Sequence, residues 1–210
     1  ELFQMFVDVE EKIKRKNKLL FNRDSESLQE LKQLIEHQKH RTIVMWVLDC
    51  AQKPLSQFEE KYPTEKRPRI TLETSTSWAQ GKIKMPVAKK AILDTHKLAG
   101  TLDDPIYSSF CRAIGHAGAT VHAETHALGL VFYELTARVL MHDKVNYSTS
   151  VQARIQEYTQ KLSYWEKHID ELDSTWAHFL LDDSKPNKEK LLSLKRSELN
   201  NLEETDDSKI

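Results

Sequence analysis

Two histidines, His122 and His126, stand four residues apart in a stretch rich in alanine and glycine. If that stretch is a helix, the spacing places both imidazoles on one face, where they could share a metal ion. A catalytic zinc site normally has three protein ligands, and the glutamate of an H-E-x-x-H motif is missing because Glu124 would point to the other side. We therefore predict no bound metal and favour histidines that hydrogen-bond to carboxylates or carbonyls of neighbouring helices. Contact with a ligand or partner is the alternative.

Three further residues complete the candidate polar cluster. His116 lies roughly 80° around the same predicted helix from His126 and could face a different neighbour. Asp49, in an apolar stretch, is the best candidate for a half-buried carboxylate paired with His or Arg, because an unpaired one there would be costly. Glu73 is a second candidate. Buried polar pairs fix helix register as readily as they perform chemistry, so we favour a structural role for both acids.

One predicted helix, from Pro105 to Met141, carries all three histidines. Gly115, Gly118 and Gly129 fall with His122 and His126 in a sector of roughly 80° on its surface. Each interior glycine costs up to ~1 kcal/mol of helix propensity relative to alanine. The glycine stripe therefore indicates a face that another backbone or a ligand approaches closely. We expect this helix to be central and largely buried.

The composition favours an all-α fold, a helical bundle-like domain with long flanking helices packed on it. Five Gly and six Pro among 210 residues are few, and 30% of the residues are charged. The formal net charge of -1 provides no basic field for nucleic acid. No apolar run approaches the ~20 residues of a membrane span. Cys50 and Cys111 lie in apolar helical stretches, which predicts buried thiols and a reducing, cytoplasmic setting.

Four segments follow from the breaks in the pattern. Residues 1–38 form an N-terminal helical extension, 39–142 a core domain, 143–183 a long heptad-patterned helix, and 184–210 a short helix with a charged tail. Nucleotide-binding glycine loops, a G-x-S-x-G elbow and C-x-x-C pairs are all missing.

The heptad pattern runs from Val151 to Trp176, with apolar residues at alternating spacings of four and three. Such a seam predicts a helix that packs lengthwise on another helix. The N-terminal helices offer a matching stripe in Phe6, Val9 and Ile13. We favour this cover within one monomer, and a homodimer pairing two copies of the seam is the alternative.

The core segment resembles a known family, the immunity-five-like helical domain of bacterial polymorphic toxin systems. The resemblance extends from about His40 to Tyr133 and depends on the order and spacing of many Trp, His and Gly positions. The matching residues are His40-Arg41, Trp46, Asp49-Cys50-Ala51, Phe58, Arg67-Pro68-Arg69, Trp78-Ala79, Gly81, His96, Gly115-His116-Ala117, Ala119-Thr120, His122 and His126-Ala127.

The resemblance implies a non-catalytic protein that binds a protein partner, a cognate toxin, and blocks it without a cofactor. A second hypothesis remains open, a small-molecule-binding or metal-dependent enzyme. It requires His116, His122 and His126 to converge with Asp49 or Glu73 on an open pocket.

Overall fold

The computed structural model describes the backbone of residues 4–207 and the side chains of residues 4–200. This part of the chain contains helices and no strand, so the predicted all-α fold is confirmed. The α-helices are α1 (Val7–Lys14), α2 (Gln29–Glu36), α3 (His40–Cys50), α4 (Gln52–Lys61), α5 (Arg67–Ala79), α6 (Met85–Thr101), α7 (Pro105–Ala119), α8 (Ala127–Met141), α9 (Ser148–His168) and α10 (Lys188–Asp207). Within these described residues, no helix has the length and apolarity needed to cross a membrane.

Proline and aspartate set several of these boundaries. Pro68 and Pro86 each stand in the first turn of a helix, where the missing N–H has no intrahelical acceptor to lose. The Asp104 carboxylate accepts a hydrogen bond from the Ile106 N–H at 3.0 Å and so caps the start of α7. Pro54 likewise stands in the first turn of α4, directly after the separation of α3 from α4.

The centre of the fold is the pair α7 and α8, which pack extensively on each other. α7 also packs against α4, α5 and α6, while α8 packs against α9, and α3 contacts both sides. Most residues of α8 are buried, as is about half of α7. The prediction of a central and largely buried stretch is confirmed, but the stretch is two helices and not one.

A buried ion pair joins α8 to α9. Glu134 and Arg154 have side chains only 1% exposed, and Arg154 donates from Nε to the carboxylate at 2.8 Å. The Tyr158 hydroxyl donates to the same carboxylate, and Arg154 also donates to the Cys50 carbonyl of α3 at 2.9 Å. Burial raises the pKa of Tyr158, so it stays neutral beside the charged pair. This network fixes the register of three helices.

The heptad seam is covered from within the chain. Val151, Ile155, Tyr158 and Leu162 are buried, and α9 packs against α2, α3 and α8. The favoured intramolecular cover is thus present, but α1 supplies little of it. Phe6 of the adjoining 3-10 turn makes an edge-on contact with Tyr147, which precedes the seam.

The predicted continuation of this helix to Trp176 is wrong. α9 ends at His168, and a 3-10 turn over Ile169–Glu171 leads into extended chain. Asp170 forms ion pairs with Lys39 and Arg41, which draw the chain toward the start of α3. Acidic residues at a helix C-terminus also interact unfavourably with the helix dipole. This interaction opposes extension of α9 beyond His168, and the apolar seam residues do not overcome it.

The C-terminal helix α10 is anchored at its first turn. Asn187 accepts from the backbone N–H of Glu189 at 2.9 Å and donates to the Ile35 carbonyl at 2.9 Å. Glu189 is fully buried and forms a bidentate ion pair with Arg23. α10 continues to Asp207, so the predicted short helix is longer than expected, and the end of the predicted tail, residues 208–210, lies outside the described residues.

Candidate functional site

The site begins where the predicted long helix breaks. α7 ends at Ala119, the chain turns over residues 120–123, and a 3-10 turn from Glu124 to His126 leads into α8. His122 lies in the turn and His126 in the 3-10 segment, so the prediction that they share one helical face is wrong.

Side chains from distant parts of the chain stabilise this break between α7 and α8. The His40 Nε2–H donates to the Thr120 carbonyl at 2.7 Å, and Arg23 donates from Nη2 to the Thr125 carbonyl at 2.8 Å. The Thr120 carbonyl lies at the C-terminal end of α7, where it has no helical partner, and it would be costly if left unpaired. Arg23 is itself fixed by the buried Glu189 of α10. The chain therefore reverses here because tertiary hydrogen bonds replace the helical ones.

The glycines make room for imidazole rings. A Cβ added to Gly115 would lie 2.6 Å from Cε1 of His96, and one added to Gly129 would lie 2.5 Å from Nδ1 of His116. A Cβ on Gly118 would lie 2.6 Å from the Ser75 hydroxyl oxygen. The close approach predicted from the glycine stripe is confirmed, with side chains of neighbouring helices in place of a backbone or ligand.

Four histidines meet around these glycines. The ring centroids of His96 and His116 lie 5.4 Å apart, and those of His116 and His126 lie 5.7 Å apart. His116 also stacks on Tyr133, with ring centroids 5.4 Å apart. These three rings and the exposed His122 border one cleft.

We call this cavity the histidine cleft. Its volume is about 340 Å³ and it opens between α6 and the turn after α7. It is lined by Trp78, Met85, Lys89, Ile92, Leu93, His96, His116, Ala119, His122 and His126. The walls are mainly hydrocarbon and imidazole, and the ammonium of Lys89 is the one Lys, Arg, Asp or Glu group among them.

The half-buried imidazoles of His96, His116 and His126 are neutral at pH 7. Burial, together with the neighbouring His96, His126 and Arg112, lowers the pKa of His116 to about 4. Burial also lowers the pKa of His96 and of His126, with cationic groups adding to the effect. Arg112 donates to the Nδ1 of His96 at 3.4 Å, so the neutral His96 carries its proton on Nε2. The cleft thus offers uncharged imidazoles in an electropositive setting.

The proposed carboxylate partners lie elsewhere. Asp49 accepts from Lys161 at 2.8 Å and from the Trp165 indole at 3.0 Å, so it joins α3 to α9 and pairs with Lys where His or Arg was expected. Glu73 is exposed, which contradicts the half-buried position predicted for it, and it borders a separate cleft with Arg69. The structure brings His116, His122 and His126 together and leaves both acids apart from them.

Across the described residues, no group of three or more His, Cys, Asp or Glu side chains is arranged to hold a metal ion. The histidines pack through their ring faces and edges, and no carboxylate lines the cleft to complete a ligand set. The residues present therefore do not form a metal centre in this conformation.

A second cleft, of about 490 Å³, adjoins the first and shares His122 with it. It lies between the start of α3, the segment 182–187 and the first turns of α10. Phe179 stands at the boundary, with its ring centroid 5.9 Å from that of Trp78 and 6.5 Å from that of His40. The two clefts therefore form one continuous recessed face centred on His122.

Sequence reasoning from local periodicity missed His96, His40 and Trp78 as parts of this site. Each stands on a different helix from His116, and its approach is set by packing between helices. All three nevertheless belong to the residue pattern on which the family resemblance depends. That pattern was the one sequence signal that connected them.

Comparison with known proteins agrees with the resemblance. The model of a family described as "Imm-5 like putative immunity protein" matches residues 33–161, which is more than half of the chain. No curated protein and no solved structure matches this chain. The matched range includes every residue of the histidine cleft.

Proposed function

The chain belongs to the immunity-five-like family, and from that premise we propose that it binds a cognate bacterial toxin and neutralises it by a non-catalytic protein contact. Family membership is the observation that carries this proposal. The toxin would be held by surface complementarity, and no cofactor takes part. The recessed face around His122 is the surface that we assign to the contact.

The exposed side chains of this face support that choice. Met85, Leu93 and Phe179 are 41%, 47% and 39% exposed and border the two clefts. Protein interfaces are enriched in methionine and aromatic residues, and grouped exposed apolar side chains mark interaction sites more often than scattered ones do. The cleft beside them could accept an anchoring side chain of the partner.

An enzyme that uses the histidine cluster is the second candidate function. The convergence of His116, His122 and His126 on one open cleft favours it. The cleft contains no carboxylate to orient an imidazole or to act as its acid-base partner, which favours the binding protein. The two candidates differ in stoichiometry: a binding protein neutralises one toxin molecule per chain, whereas an enzyme turns over.

The test of the proposed function begins with identification of the partner. Affinity purification from the producing bacterium and mass spectrometry would identify it, and the purified pair would be mixed at defined ratios in an assay of the toxin's activity. We expect co-expression to restore growth and inhibition to reach completion at equimolar protein. Leu93→Glu should weaken the complex, while Tyr164→Glu, at a similarly exposed position on α9, should not. Inhibition by catalytic amounts of the chain, or growth rescue without a complex, would overturn the proposal.

A further inference from the structure

The outer surface of α6 and the loop before it is strongly basic. Lys82, Lys84, Lys89 and Lys97 are all exposed there. None of the four forms an ion pair with a carboxylate among the side chains that the structure describes. Only Lys90 is paired, with Asp94 at 2.7 Å. This surface therefore has a positive field although the whole chain is almost neutral.

Apolar side chains stand among these lysines. Met85 and Leu93 lie at the mouth of the histidine cleft, and Val87 on the same helix is 53% exposed. Lys89 stands between Met85 and Leu93 at spacings of four, so all three follow one face of α6. A partner that covers this face meets apolar contacts and uncompensated positive charge together.

The interior of the histidine cleft is also electropositive. No carboxylate lines it, Lys89 stands at its wall, and Arg112 lies behind His96. Cations and other imidazoles act with burial to hold the histidines in their neutral form. The second cleft differs, because the lysines that line it are balanced by Glu36, Glu124, Asp182 and Asp183. Of these two clefts, the histidine cleft beside α6 is the one whose lining selects the charge of a partner.

We infer that the α6 face docks an acidic segment of the partner protein, and that an apolar side chain of this segment enters the histidine cleft. The inference rests on the proposed function and names the partner's chemistry. Carboxylates of the segment would pair with the exposed lysines, while the apolar side chain fills the space between Trp78 and Leu93. Charge complementarity of this kind sets association rate and specificity, and the buried anchor supplies affinity.

Selection from a random peptide display library on the purified chain tests this inference. We expect enriched peptides to carry net negative charge and at least one aromatic or long aliphatic residue. Lys89→Glu with Lys97→Glu should weaken the selected peptides about tenfold or more. The matched control, Lys14→Glu with Lys18→Glu on and after α1, makes the same charge change at exposed positions elsewhere and should leave binding unchanged.

A second measurement locates the bound peptide. The ring-proton NMR signals of His96, His116 and His126 should shift when a selected peptide is added, because its anchor would lie against these rings.

Binding to vesicles that contain phosphatidylglycerol is measured as well, because such vesicles offer an anionic surface that competes with acidic peptides. The inference would be overturned if the enriched peptides were basic or uncharged, or if no peptide were enriched. It would also be overturned if both double variants lost peptide binding equally, or if the lysines bound vesicles in place of peptides.

These outcomes are separable from failure of the proposed function. If the Lys89→Glu, Lys97→Glu chain neutralises the toxin as well as the wild type does, the docking surface is wrong and the function stands. If acidic peptides bind at α6 but no co-purified protein is toxic, the surface stands and toxin neutralisation is wrong.

Discussion

The imidazole of His116 on α7 occupies the space that a side chain at Gly129 on α8 would need. A Cβ on Gly129 would lie 2.5 Å from the Nδ1 of His116, and Tyr133 stacks on the same ring. The ring is thus held between α8 and the other histidines. The close packing of α7 on α8 depends on the absence of one methyl group.

Gly129→Ala should therefore destabilise the fold, because the ring must move and disturb the packing around it. We expect a loss of about 1–3 kcal/mol in the free energy of unfolding, measured by urea denaturation. Gly100→Ala is the control, since a Cβ there would meet only Arg112 Nη2, at 4.0 Å. It should raise stability by up to ~1 kcal/mol through helix propensity. Equal stabilities of the two variants would contradict the packing argument.

The turn that organises this site could not be predicted from local sequence. Residues 120–123 contain neither proline nor glycine, and the alanines on both sides favour a continuous helix. The turn is stabilised instead by His40 and Arg23, which are 80 and 102 residues away from the carbonyls that they bind. Periodicity predicts which residues are buried, but it carries no information about such distant hydrogen bonds.

Other parts of the fold were predictable because their causes are local. Pro68, Pro86 and Asp104 act within one turn of their own position, and the helices begin where these residues indicate. The Asp49 partner was not predictable in the same way, since Lys161 comes 112 residues later and reaches it only through the packing of α9 on α3. The glycine stripe indicated close approach correctly without identifying the neighbour.

The buried Glu134 and Arg154 pair gives the next prediction. Glu134→Gln should cost about 3 kcal/mol, because it removes the fully buried carboxylate and leaves the Arg154 charge with only the partly exposed Glu157 as its ion-pair partner, at 2.8 Å. Glu11→Gln is the control, since Glu11 and Arg15 are largely exposed and 3.8 Å apart, and it should leave the melting temperature unchanged. Replacing both buried residues, Glu134→Leu with Arg154→Met, should recover much of the loss. A double variant as unstable as Glu134→Gln would count against this explanation.

The neutral imidazoles make stability depend on pH. The folded-state pKa of His116 is about 4, below its ordinary value of 6.5, so the unfolded chain binds a proton in this window that the folded chain does not. Its contribution is therefore fully present above about pH 6.5 and is lost as the pH falls toward 4. His116 gives a slope of up to about 1.4 kcal/mol per pH unit, and the lowered pKa values of His96 and His126 act in the same direction.

Urea denaturation between pH 7 and 4 measures that slope. His116→Gln should make it shallower, while His142→Gln, in an exposed turn, should leave it unchanged. Titration of the wild type by NMR gives an independent reading, in which the His116 ring should resist protonation until the pH approaches 4. Protonation of that ring near pH 6.5 in the folded protein would show that its environment differs from the one described.

The heptad seam of α9 leads to the final prediction, which concerns Ile155. Its side chain is 7% exposed in a helix that packs against α2, α3 and α8 of the same chain. Ile155→Glu forces a carboxylate into that contact and should cost about 2–4 kcal/mol of stability. Tyr164→Glu on the same helix is the control, because Tyr164 is 53% exposed and its loss should change the melting temperature little.

Light scattering of the wild type completes this test. Because Val151, Ile155, Tyr158 and Leu162 are already covered within one chain, we predict a monomer. A seam shared between two copies would instead leave these residues at an interface across a two-fold axis. In that case Ile155→Glu would dissociate a dimer and leave the thermal stability of each chain intact. A wild-type dimer that behaves in this way would show that the seam packs between two chains in solution and not within one chain.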